Sequence, residues 1–79
     1  MFKKGEYIIV NERILTNDQY YPPRTNLKDR YGIIDKEDKT YPSVQFYRWG
    51  QKDPSLPMKI PVICLEKVTE WEFWINRLG

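Results

Sequence analysis

Ser43-Val44-Gln45-Phe46-Tyr47-Arg48-Trp49 is the stretch that decides the fold. In an extended chain Val44, Phe46 and Arg48 fall on one side and Gln45, Tyr47 and Trp49 on the other. β-Branched and aromatic residues fill a pleated surface well, so the period of two reads as a strand. The apolar pair Val44/Phe46 is its inward set, and Tyr47 and Trp49 point outward or under a loop.

Three further runs of the same kind lie around it: Tyr7 to Leu15, Tyr31 to Asp35 and Met58 to Leu65. In the first, Ile8, Val10 and Ile14 share a face. In the last, Met58, Ile60, Val62 and Cys64 do, and Pro61 removes an amide donor, which predicts an edge strand or a bulge. Turn chemistry separates the runs. Thr16 to Arg30 contains Asn17-Asp18, Pro22-Pro23 and Thr25-Asn26 and reads as a long loop. Asp35 to Lys39 reads as a charged hairpin end, and Gly50 to Pro57 as a second loop. Ala, the best helix former, is absent. The expected class is mostly β, a single small antiparallel barrel over residues 1–79 with its sheet at about 5–65. Its expected core is Ile8, Val10, Ile33 or Ile34, Val44, Phe46, Ile60 and Val62.

The C-terminal segment has a different period. Thr69 followed by Glu72 is a capping-box pattern, and Trp71, Trp74, Ile75 and Leu78 recur at helical spacing before Gly79. A short helix at about 70–78 is expected; a fifth strand with Thr69, Trp71 and Phe73 alternating is the rival.

With 79 residues the chain has room for one compact core. Lys and Arg number 13 against 11 Asp and Glu, interleaved, so no basic stripe marks a polyanion binder. One cysteine closes no internal disulfide, no apolar run is long enough to cross a bilayer, and the N-terminal residues make too short an apolar core for a signal peptide. A reducing, cytoplasmic setting without membrane contact is expected. Heavy use of Lys, Asn, Ile, Tyr and Phe is what an AT-rich genome encodes, a bias shared by phage and other mobile elements.

Gly5 before Tyr7-Ile8-Ile9-Val10, then Gly32-Ile33-Ile34, Val44-Gln45-Phe46 and Ile60-Pro61-Val62 together resemble a small SH3-like barrel, most nearly of the KOW type. The chain departs from the KOW motif in the much longer segment between its two glycines. Barrels of this kind bind peptides, proteins or nucleic acids through their loops, and the fold does not choose among these.

Catalytic and metal chemistry find few residues. His is absent, which removes the commonest general base and a major metal ligand, and lone Cys64 reads as a buried small hydrophobe. Asp35, Glu37 and Asp38 lack the further oxygens and turn glycine of a calcium loop. No cofactor, metal or catalytic residue is expected. Two loops combine rings with cations: Tyr20, Tyr21, Arg24, Lys28 and Arg30 in the first, and Tyr47, Arg48, Trp49 and Lys52 in the second. With Trp71 and Trp74 they form the candidate partner-binding set, because Tyr, Trp and Arg dominate protein hot spots. The resulting expectation is a non-catalytic protein-binding module, in keeping with a phage-encoded inhibitor or modulator of a host protein. The alternative is an RNA- or DNA-binding module, since bases also stack on rings beside cations.

Overall fold

The alternating stretches fold into the central strands of one antiparallel sheet. The computed structural model describes residues 1–17, 19–48 and 51–75. Its strands are β1 (Tyr7–Val10), β2 (Leu15–Thr16), β3 (Thr25–Asn26), β4 (Tyr31–Lys36), β5 (Ser43–Arg48), β6 (Gln51–Lys52), β7 (Met58–Lys59) and β8 (Leu65–Lys67). A single 3-10 turn, Val62–Cys64, precedes β8, and helix α1 (Glu70–Ile75) follows it. The main sheet runs β6-β5-β4-β1-β8, with β7 also paired to β5, while β2 and β3 form a separate two-stranded sheet. Among the described residues the ladders leave the main sheet open rather than closed into a ring.

Register sorts the side chains onto two faces. Gly32 lies opposite Ile8 on one side and Phe46 on the other. This face is the inner one, where Ile8, Val10, Ile34, Val44 and Phe46 pack with Leu27, Ile60 and Leu65 into a buried core. A Cβ on Gly32 would stand 2.6 Å from Val44 Cγ1 and 2.8 Å from the Gln45 carbonyl oxygen. Only glycine lets β4 and β5 approach this closely. The other face carries Tyr7, Ile9, Tyr31, Ile33, Gln45 and Tyr47.

Several expected boundaries shift. The run Met58 to Leu65 is not one strand: Ile60 N–H donates to the Pro42 carbonyl at 3.0 Å, and Pro61 has no donor with which to continue. The chain then tightens, Cys64 N–H donating to the Pro61 carbonyl at 2.9 Å, before β8 re-enters the sheet beside β1. Val62 is consequently half-buried instead of core, and Cys64 is half-buried against the core. The run Tyr7 to Leu15 also divides. Beyond Val10 the backbone turns away, Asn11 N–H donating to the Cys64 carbonyl and Asp29 N–H to the Val10 carbonyl, both at 2.8 Å. The segment read as a long loop holds the β2–β3 ladder and buries Leu27 completely. The C-terminal segment is helical, and Glu72 N–H donates to the Thr69 hydroxyl at 3.0 Å, as the capping pattern predicts. The residue it buries is Phe73, and the Trp71, Trp74, Ile75 stripe is left exposed. Leu78 lies outside the described residues.

Two substitutions test this packing. Phe46→Ala should cost about 3 to 5 kcal/mol in denaturant unfolding, a large part of the total, on the order of 4 to 12 kcal/mol, expected for a chain this size. Gly32→Ala should cost about 1 to 3 kcal/mol, because the added methyl meets a backbone carbonyl that cannot swing away.

Candidate functional site

Just beyond β6 three distant segments share a carboxylate. Tyr21, from the segment between β2 and β3, donates its hydroxyl hydrogen to Asp53 Oδ2. Arg30 Nη2, just before β4, donates to the same oxygen at 2.5 Å, and its guanidinium carbon lies 5.3 Å from the Tyr21 ring centroid. Ser55 Oγ donates to the Tyr21 hydroxyl at 3.4 Å. Asp53 and Ser55 are buried. Buried Gln45 holds their backbone from below, its Nε2 donating to the carbonyls of Phe46, Asp53 and Ser55 at 3.1 to 3.3 Å. Burial and the Asp53 carboxylate both hold the Tyr21 hydroxyl protonated to higher pH than a free tyrosine.

On the outer face α1 is anchored by one ring. Phe73 sits 4.8 Å from the Tyr7 centroid, 5.5 Å from Tyr47 and 6.3 Å from Tyr31, mostly in tilted or edge-on geometry. Tyr31 hydroxyl donates to Glu72 Oε2 at 3.4 Å. Partial burial first, then the Glu72 charge, raise the pKa of that hydroxyl. Trp74 touches the same cluster, its ring 5.0 Å from Phe73, and is 36% exposed. Trp71 and Ile75 project away, at 74% and 59% exposure.

The candidate residues thus divide by what they touch. Tyr21 and Arg30 are half-buried and committed to Asp53; Tyr47 is half-buried under Phe73. Tyr20, Arg24 and Lys28 are exposed on the first loop, and Arg48 and Lys52 at the β5–β6 hairpin. Trp49 lies outside the described residues. Arg24 adopts φ 64 in a turn closed by Thr25 N–H on the Pro22 carbonyl at 3.2 Å, a backbone region that glycine prefers. Asp53, Ser55 and Phe73 were not expected. Asp53 and Ser55 flank Pro54 and carry no local sign beyond a turn. Phe73 did have a signal: with Thr69 as the cap, it holds the fourth helical position, where a hydrophobic staple places its inward residue.

No protein-family profile, curated relative or solved structure matches this chain. Its own geometry is therefore what supports a function.

Tyr21→Phe should cost about 1.5 to 3 kcal/mol at neutral pH, the range for a hydrogen bond to a charged group. Because the folded-state pKa of Tyr21 is raised above 10.0, its contribution is complete below that pH and is lost as pH rises through the folded value. Thermal denaturation as a function of pH should show the alkaline decline reduced in Tyr21→Phe.

Proposed function

We propose that this chain is a non-catalytic, SH3-like protein-binding module acting in the cytoplasm, of the kind a phage supplies to modulate a host protein. The observation that carries this reading is the division of labour in α1. Phe73 is the one buried side chain of the helix among the described residues, while Trp71 and Ile75 stand in solvent and Trp74 is partly covered. Positions i, i+3 and i+4 of apolar character on an exposed helix are the anchors of helix-in-groove recognition. Burying large rings is costly to forgo, so three such side chains left outside a small core favour a partner that covers them.

The strand order supports the SH3-like resemblance. Once β2 and β3 are set aside as a subsidiary hairpin, the main strands form a meander whose last member returns beside the first, after a 3-10 turn. The distribution of cations favours protein over nucleic acid: Arg30 is withdrawn by Asp53, and the remaining exposed cations are interspersed with acids.

Trp71→Ala should leave unfolding stability within about 0.5 kcal/mol, as for a surface position, yet weaken the captured partner by about 2 kcal/mol or more. Capture from a matching lysate should survive nuclease treatment. Loss of capture on nuclease treatment, with affinity falling by orders of magnitude between about 50 and 200 mM salt, would replace this reading with nucleic-acid binding.

A further inference from the structure

A second surface is built on the opposite side of the sheet from α1. An open cleft of about 300 Å³ lies between β2 and β7, lined by Ile14, Leu15, Leu27, Met58 and Ile60, with Thr16, Asn17 and Lys59 completing it. Both bordering strands are sheet edges: β2 pairs with β3 and β7 with β5. Their registers show which backbone groups face the gap. Leu27 N–H donates to the Ile14 carbonyl, while Ile14 N–H donates to Asn26 Oδ1; the Leu27–Ile14 bond sets the phase of the ladder, and its alternation turns the N–H and C=O of Leu15, opposite Asn26, outward. Ile60 N–H donates to the Pro42 carbonyl, and the same alternation turns the N–H and C=O of Lys59 outward.

We propose that this cleft accepts an extended peptide segment of alternating aliphatic and acidic residues, added as a strand against β7. Alternate side chains of an added strand point to opposite faces. Those opposite Met58 enter the cleft, onto Ile14, Leu27 and Ile60. Those opposite Lys59 extend a cross-strand row already formed by Lys36, Ser43 and Lys59, in which both exposed ends are cationic. Opposite charges directly across a ladder are favourable. Asp38, whose Oδ1 accepts the Thr40 and Tyr41 amides, each at 2.8 Å, lies near both lysines and offsets one of their two charges, so a further acid opposite Lys59 meets the charge that remains. At the β8 edge the corresponding cation is already used, Lys67 being engaged by Glu6 at 2.6 Å. This cleft is independent of the α1 surface, so the outcome of either test leaves the other standing.

The test titrates the full chain, isotope-labelled for amide NMR, with a short blocked peptide alternating Val and Glu, and with its Val-Lys counterpart. Saturable shifts centred on Leu15 and Lys59, with slowed hydrogen exchange at both amides, are expected for the Val-Glu peptide. Lys59→Glu, at an exposed position, should keep a folded spectrum, weaken that peptide about tenfold or more and improve binding of Val-Lys. Absence of saturable shifts, equal binding of both peptides, or shifts centred on α1 would overturn the proposal.

Discussion

The close approach of β4 and β5 at Gly32 is the constraint on which the other contacts depend. β4 is central, paired to β1 and β5 together, and its Gly32 faces Ile8 and Phe46 across both ladders. Without a Cβ there, Val44 and the Gln45 backbone come close enough for Val44 and Phe46 to be fully buried. A small chain has few such residues, so the inner face must be filled from outside the three central strands, by Leu27, Ile60 and, from β8, Leu65. The outer face then carries Tyr7, Tyr31 and Tyr47, three rings that a solvated sheet would leave wet. Phe73 covers them, and its insertion fixes the rotation of α1. A helix turned to bury Phe73 necessarily turns Trp71 out, because the two positions are about 200° apart around the axis.

The Tyr21, Arg30 and Asp53 cluster does for the loops what Gly32 does for the strands. Thr16 to Arg30 has little apolar content of its own, and Leu27 alone is a slender attachment. By placing one carboxylate under a phenol and a guanidinium, the fold ties the first loop to the segment between β6 and β7. A half-buried ion pair on its own contributes little after desolvation. Here the Tyr21 hydroxyl and the Gln45 amide satisfy the surrounding groups as well, and a fully satisfied network specifies one loop arrangement.

How far this was legible depended on the range of the interaction. Period-two patterns are local, and they located β1, β4 and β5 and the buried residues Ile8, Val10, Val44, Phe46 and Ile60; between Ile33 and Ile34, which they left open, the structure buries Ile34. The Thr69 cap is local too, and so was legible. Pro61 announced an interruption but not its form, since the 3-10 turn that follows it depends on β8 finding a place beside β1. Leu27, a single apolar residue between Asn26 and Lys28, has no periodic neighbour to reveal it. Tyr21 and Asp53 meet across 32 positions, and nothing in either neighbourhood distinguishes a residue bound for a buried network from one bound for solvent. The helical spacing of Trp71, Trp74 and Ile75 was legible, but not which side of the helix would turn inward; the staple position and the three waiting tyrosines select Phe73, the smaller, wholly apolar ring.

That selection has a chemical logic. Each tryptophan carries an indole N–H that must be satisfied when buried, and the tyrosine pocket presents ring faces and edges rather than acceptors. Phe brings no such requirement, so the pocket binds it without an orphaned donor. The tryptophans remain where their N–H groups can reach water or a partner's acceptor. Meanwhile the inner-face cleft beside β7 opens on the reverse of the sheet, lined by aliphatic side chains and bordered by strand edges. The two surfaces therefore differ in kind as well as in position: one offers large rings on a short helix, the other backbone hydrogen bonds in a narrow aliphatic gap. The main sheet separates them, and no residue lining one belongs to the other, so either can be filled without displacing the residues that form the other.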